Sequence, residues 1–252
     1  MHKYFAKPRI LGKQAEFLPE CHSTNEELMN RVRFQSISEG YLLHSDFQKS
    51  GKGQRGSSWS SDRGENLLFS LFLQPKQLRA EKVYMINVIT GLAVAQVLRE
   101  HLDSTIELKW PNDLYVNDRK IGGILIETIL IGENVVGCVV GVGLNINQTD
   151  FNSISATSLR NELKRKVDRF EILENILLWL EQFYFKLKEG EEGSLLREYH
   201  SILRWKGEIH SFEDAEGFFE GEIIGINASG KLVVKGRGES EAYALKEIRF
   251  IK

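Results

Sequence analysis

Apolar residues in this chain fall into runs of two kinds. At alternating spacing, Leu67, Phe69, Leu71 and Leu73 line one side of an extended segment, while Leu68 and Phe72 make the other side apolar too. That pattern predicts a strand buried on both faces. Two more apolar runs cover 122–131 and 135–144, and Gly132-Glu133-Asn134 between them has the composition of a hairpin turn. At helical spacing, Val83, Ile86, Ile89, Ala93 and Val97 predict a helix over 83–102. Leu173, Ile176, Leu177, Leu180, Tyr184 and Leu187 predict another over 171–188, with Gly190 as its stop. A shorter helix is expected over 195–203. Thr24 followed by Glu27 is a capping-box pattern and predicts a helix start at Thr24.

After Trp205 the texture changes. Gly207, Gly217, Gly221, Gly225, Gly230, Gly236 and Gly238 punctuate short β-rich pieces, and Asn227-Ala228-Ser229-Gly230 separates two of them as a turn. The chain therefore divides into an α/β domain over 1–204 and a small all-β barrel over 205–252, too short to be stable without the first.

Composition narrows the functional classes. The 252 residues carry a formal net charge of −2, which argues against bulk electrostatic binding of DNA or RNA. Cys21 and Cys138 stand far apart, so neither a disulfide framework nor a zinc site is expected, and a reducing cytoplasm suits them. Met1-His2-Lys3-Tyr4 is not followed by an apolar run, so no signal peptide is read. The longest apolar runs are broken by Glu127, Thr128 and glycines, which leaves no membrane span.

Five segments carry candidate chemistry. Gly51-Lys52-Gly53-Gln54-Arg55-Gly56-Ser57-Ser58-Trp59 has the glycines and cations that let a backbone wrap an anion, although a solvated surface loop has the same composition. It is not a P-loop, because Lys52 is followed by Gly53. Lys109-Trp110-Pro111-Asn112-Asp113 lies between strands and offers a cation, a stacking plane and two polar groups where a plain turn needs only the last two. Arg119-Lys120-Ile121-Gly122-Gly123 leads a lysine into a strand through paired glycines, a mark of a bulge or of close ligand approach; a loop lysine outside the sheet is the alternative. Gly141-Val142-Gly143-Leu144-Asn145-Ile146-Asn147 ends a strand with two glycines and two asparagines but lacks the rest of a dinucleotide fingerprint. Ser23-Thr24-Asn25 is explained as a helix cap if taken alone.

In this order, the segments resemble the catalytic domain of biotin protein ligases. The match runs from about Glu20 to Asn147, and its most specific part is Lys-Trp-Pro-Asn-Asp followed by Arg-Lys-Ile-Gly-Gly-Ile-Leu-Ile-Glu. The resemblance implies an α+β fold: a class II synthetase-like mixed β-sheet with helices on one side, and a C-terminal SH3-like β-barrel. It implies that biotin attacks the α-phosphate of ATP to give biotinyl-5'-AMP, and that a lysine of a biotin carboxyl carrier protein then takes the biotin. By that resemblance Ser23, Thr24, Asn25 and Gln48 would contact the biotin rings. Gly51, Lys52, Gly53, Gln54, Arg55 and Gly56 would close over the carboxylate and α-phosphate, with Trp59 on the adenylate side. Lys120, beside Gly122 and Gly123, would bridge carboxylate and phosphate. Asn112 and Asp113 would sit near the nucleotide and the incoming lysine, and Asn145 near the adenine. Lys120, Lys52, Arg55 and Asp113 would be the catalytic set. Mg²⁺ would arrive with ATP, with no ligands assigned to side chains.

The physical logic agrees. A carboxylate and a triphosphate repel each other, and Lys52, Arg55 and Lys120 are the cations available to stand between them. The family's loop is often richer in arginine; here Lys52, Gln54 and Ser57 replace three of them, which predicts looser retention of the adenylate. About twenty residues precede Ser23, which leads to the expectation of a monofunctional ligase without a DNA-binding domain; a homodimer is left open. The nearest rival is a lipoate or octanoate enzyme of the same fold, for which Cys21 or Cys138 would have to serve chemistry. A non-catalytic biotin sensor is a rival of another class, disfavoured by the presence of Lys120, Asn112, Asp113 and Asn145.

Overall fold

The computed structural model describes residues 5–76, 78–152 and 155–251, and not the side chain of Arg55. Met1 to Tyr4, on which the signal-peptide reading rests, lie outside the described residues. In chain order the elements are β1 (Ala15–Leu18), α1 (Thr24–Phe34), β2 (Leu42–Ser45), β3 (Leu67–Leu73), α2 (Tyr84–His101), β4 (Ile106–Lys109), β5 (Asp113–Val116), β6 (Arg119–Ile131) and β7 (Asn134–Leu144). Then follow α3 (Leu159–Leu163), α4 (Arg169–Lys188), α5 (Glu192–Ser201), β8 (Ile209–Asp214), β9 (Gly217–Ile226), β10 (Leu232–Lys235), β11 (Ser240–Tyr243) and β12 (Arg249–Phe250). The large sheet has seven strands in the order β1-β2-β3-β7-β6-β5-β4. Only β1–β2 is a parallel pair, so the sheet is mixed as expected.

Strand β3 is buried along its whole length, and its two faces meet different partners. Leu67, Phe69, Leu71 and Leu73 join the main core with Ile86, Ile89, Ala93 and Val97 of α2 and the stripe of α4. Phe72, with Leu43 and Val139, packs instead against Leu28 and Met29 of α1. The helices therefore cover both faces, which corrects the expectation of helices on one side. On the second face α1 packs against β2, β3 and β7. The helical segment Ala80–His101 is long and apolar enough to cross a membrane by length and composition, but 72% of its most apolar window is buried in the protein. That is the all-round apolarity of a core helix lying between a sheet and further helices.

The C-terminal five strands form an antiparallel sheet in the order β11-β10-β9-β8-β12. Among the described residues β11 and β12 do not pair, so the sheet is open and the closure of an SH3-like barrel is not seen. It shares the main core: Phe212, Ile223 and Leu232 belong to the same buried cluster as α2 and α4. The turn at Asn227 is built by its side chain, whose Oδ1 accepts from Ser229 N and Lys231 N. Gly230 of that turn presses on Tyr84, and its carbonyl accepts from the indole of Trp110 at 2.9 Å. Trp110, only 4% exposed, is thus a docking residue for the second sheet and not the stacking plane its neighbours suggested.

Candidate active site

The sequence segments converge beside the start of α1, on this second face. Ser23 is the N-cap of α1, yet it makes no side-chain cap bond. The first helical N–H, that of Thr24, donates to Gln48 Oε1 at 2.7 Å, and an isolated bridge between Cys21 and Gln48 holds the two chains side by side. The capping-box reading of Thr24 is therefore corrected. Thr24 already lies inside the first turn, and the Glu27 carboxylate pairs with Arg31 at 3.2 Å. The Thr24 hydroxyl is left to the site, 3.1 Å from Gln48 Oε1 and 2.8 Å from Ser70 Oγ.

Asn25 ties α1 to the sheet. Its Nδ2 donates to Leu125 O at 3.1 Å and Glu127 Oε2 at 3.0 Å, and its Oδ1 accepts from Ser70 Oγ at 2.6 Å. The amide lies so close over β7 that a Cβ at Gly141 would sit 2.1 Å from Oδ1. Two residues on, a Cβ at Gly143 would sit 2.5 Å from Trp59 Cε2. The Gly-x-Gly of β7 thus has two local causes, an amide on one glycine and an indole on the other.

The glycine-rich segment is a pinned loop. Lys52 bridges Ser58, Trp59 N–H donates to Gly51 O at 2.8 Å, and Gly53 N–H donates to Ser57 O at 2.7 Å. Gln54–Gly56 forms its tip as one 3-10 turn, with Gly56 at φ +81. Lys52 Nζ stands 3.4 Å from Glu26, both about half exposed. Gln54 Oε1 and Trp59 Nε1 are buried without a hydrogen-bond partner among the described residues.

The catalytic-type pair comes from the adjacent hairpin. Lys120 lies within β6 and not in a loop, and its Nζ is 2.7 Å from Asp113 Oδ1 and 5.8 Å from the Trp59 ring centre. A register shift between Leu114 and Tyr115 brings the two side chains to one face. Asn112 Nδ2 donates to Ile124 O at 2.6 Å, which fixes the turn before Asp113.

These parts enclose a cleft of about 160 Å³. One end is formed by Ser23, Thr24, Asn25 and Gln48, the other by Asp113 and Lys120, with Lys52, Gly53, Gln54 and Trp59 along the rim. Gly123 and Asn112 also line it. Asn145 does not: it is buried, and its Nδ2 donates to Thr157 O at 3.0 Å. Gly51, Gly56 and Gly122 do not line the cleft, and the side chain of Arg55 lies outside the described residues. The sequence reading did not assign Ser57, Ser58, Ile124, Leu125, Gly141, Val142 and Gly143 as lining, nor Ser70, which bonds to Thr24 and Asn25 behind it. Both cysteines are buried, and neither lines the cleft. Burial pushes the Cys138 thiol up to about 12 and raises that of Cys21, the reverse of what a nucleophile needs.

Comparison with known proteins agrees with this geometry. The profile of the Biotin/lipoate A/B protein ligase family matches residues 18–145, just over half of the chain. The chain is 27% identical over 241 residues to the bifunctional ligase/repressor BirA of Bacillus subtilis (strain 168), covering 92% of this chain and 73% of that protein. It is 29% identical over 247 residues to the Escherichia coli (strain K12) BirA, covering 81% and 76%. Among solved structures, the biotin protein ligase from Aquifex aeolicus in complex with biotin and ATP superposes with a TM-score of 0.79 at 27% identity, covering 94% of this chain and 98% of that one. From the profile match and the cleft together, the chain belongs to the biotin/lipoate A/B protein ligase family.

Proposed function

We propose that this protein is a biotin protein ligase that activates biotin with ATP and transfers it to a lysine of a biotin carboxyl carrier protein of a biotin-dependent carboxylase. The observation that carries this reading is that one cleft joins a neutral, amide-lined end at Thr24 and Gln48 to a cationic end at Lys120. A bicyclic urea with a carboxylate tail has those two ends.

In the first step a carboxylate oxygen bonds to the α-phosphorus, the bond to the β-phosphate oxygen breaks, and pyrophosphate leaves. In the second, the carrier's ε-amine bonds to the acyl carbon, the bond to the phosphate oxygen breaks, and AMP leaves while the nitrogen gives up a proton. Lys120 lies where negative charge gathers in both steps. Its present partner Asp113 holds it in place and exchanges it for the substrate's oxygens. Asp113, relieved of Lys120, would stand by the incoming amine, and Asn112 beside the nucleotide. Lys52 and Arg55 would close the loop over the phosphate and keep water from the anhydride. Trp59, with its indole N–H unmet, faces the adenylate side.

Mg²⁺ fits as part of the ATP substrate. Among the described residues no group of three or more His, Cys, Asp or Glu side chains is placed to hold a metal, and an ion arriving with ATP would offset the triphosphate charge. All described lining residues fall between Ser23 and Gly143, which supports the division into a catalytic unit over 1–204 and a β unit over 205–252. The β unit would be SH3-like in topology though open in its strand pairing. Two free buried cysteines fit a cytoplasmic protein.

Biotin-dependent exchange of pyrophosphate into ATP tests the first step. Wild type should exchange, and Lys120→Ala should lose at least about a hundredfold in rate, the scale for removing one charge-stabilising donor. Exchange that persists in Lys120→Ala would remove Lys120 from the chemistry.

A further inference from the structure

Asn145 follows the Gly-x-Gly strand, stands outside the cleft lining and is only 4% exposed. Strand β7 stops one residue before it, and the pairing of β6 with β7 begins at Gly122 and Leu144. Lys120 lies two residues outside that ladder. On its other side it pairs with Tyr115 of β5. Segment 155–159 takes the place of β7 beside it. Lys120 N–H donates to Ser155 O at 3.1 Å, and Lys120 O accepts from Thr157 N–H at 2.9 Å, which makes a parallel bridge to Ala156.

Asn145 sits at the handover from β7 to this segment and bonds to both sides of it. Its N–H donates to Ile121 O at 2.9 Å, next to Lys120 on β6. Its carbonyl accepts from Leu159 N–H at 3.2 Å, and its Nδ2 donates to Thr157 O at 3.0 Å. Ile121, Thr157 and Leu159 are all fully buried, so the Asn145 amide meets a carbonyl that water does not reach. A flipped amide would set oxygen against that carbonyl, which fixes the orientation. A second tie holds the segment from α3: the Thr157 hydroxyl donates to Glu162 Oε1, and Arg119, the other neighbour of Lys120, pairs with the same oxygen at 2.7 Å.

We infer that Asn145 is a positioning residue for Lys120: through Thr157 it holds segment 155–159 against the lysine's backbone and so fixes where the ammonium stands. The inference rests on the ligase reading and deepens it. A lysine side chain has four rotors, and Asp113 at 2.7 Å aims the ammonium only while the strand that carries it is held. A shift of about an ångström in that strand moves the charge off the reacting oxygens. This role differs from the adenine contact that the resemblance implies for Asn145, and the two leave different kinetic marks.

The test measures kcat and both KM values in biotin-dependent pyrophosphate exchange for Asn145→Ala, made in wild type and in Lys120→Ala. In wild type the change should lower kcat about tenfold while KM for biotin and for ATP stay within about twofold. In Lys120→Ala, assayed at raised enzyme concentration, the same change should cost under about twofold, because no ammonium is left to misplace. Should Asn145→Ala fail to fold, Thr157→Val is nearly isosteric, cuts the tie to Glu162 and should lower kcat about threefold with the same non-additivity. A rise in KM for ATP at unchanged kcat would overturn the inference in favour of an adenine contact. An equal loss of kcat in both backgrounds would overturn it in favour of a general loosening of the fold. No biotin-dependent exchange by wild type would overturn the ligase reading, and the inference with it.

Discussion

The two ends of the cleft are built in opposite ways. At the Thr24 end the side chains of Thr24, Asn25, Gln48 and Ser70 come from a helix start, a core strand or a bridged segment, and each takes part in a hydrogen bond between 2.6 and 3.1 Å. At the loop end the cation Lys52 is half exposed, its pairing with Glu26 is a surface one, and Gln54 Oε1 and Trp59 Nε1 have no hydrogen-bond partner among the described residues. A fixed, fully bonded end can discriminate, because a wrong group leaves a buried acceptor without a partner. An under-bonded loop can close, because a ligand supplies what the free protein lacks. In the proposed function the first end would serve choice of acid, and the second would serve containment of the reactive anhydride.

Substitutions at each end should separate these two jobs. The largest effect is expected at Gly141. A methyl group there meets Asn25 Oδ1 and must displace α1 or break the hydrogen bond from Ser70 to Asn25, so Gly141→Ala should lower unfolding free energy by about 1–3 kcal/mol in urea titration and weaken biotin binding with it. Next is the rim. Gln54→Arg adds a cation beside the phosphate and should slow adenylate release about three- to tenfold in a chase experiment; unchanged release would separate loop charge from retention. Lys52→Ala should leave stability within about 0.5 kcal/mol, since its ion pair with Glu26 is exposed, even as adenylation slows. A larger loss of stability would mean the loop is part of the fold.

The smallest effect lies at the junction with the second sheet. Burial holds the His200 imidazole below its ordinary value of 6.5, where its Nε2 accepts from Ile226 N–H. The unfolded chain takes up that proton first as pH falls. This contribution to stability is therefore complete above about pH 6.5 and declines as pH drops toward the lower folded value. His200→Gln should flatten the stability profile below pH 6.5 by under about 1 kcal/mol, seen in denaturant midpoints at pH 7.5 and 5.5.

How much of this was legible in the sequence follows from the range of the forces involved. The strands 67–73, 122–131 and 135–144 and the helices on α2 and α4 were legible because burial repeats along them. The four residues of β1 were not, since Glu16 and Leu18 in so short a piece give no periodic signal. Helices on both faces were hidden because α1 buries little beyond Leu28 and Met29. Thr24 was misread because its cap-like spacing is local, while its partners Gln48 and Ser70 lie 24 and 46 residues away. Ser70 did leave a trace: a lone hydroxyl within a run apolar on both faces must find a buried partner. The glycines at 141 and 143 were visible as a pattern, but their causes, an amide from α1 and an indole from the loop, appear only in three dimensions.

The central claim is that this cleft couples biotin to a carrier lysine. The direct measurement is the mass of a biotin carboxyl carrier domain after incubation with the protein, ATP, Mg²⁺ and biotin, with lipoate and octanoate in parallel. The account requires a mass gain equal to biotin minus water on the carrier, absent with the other two acids and lost in Lys120→Ala. A gain with lipoate or octanoate and none with biotin would contradict it.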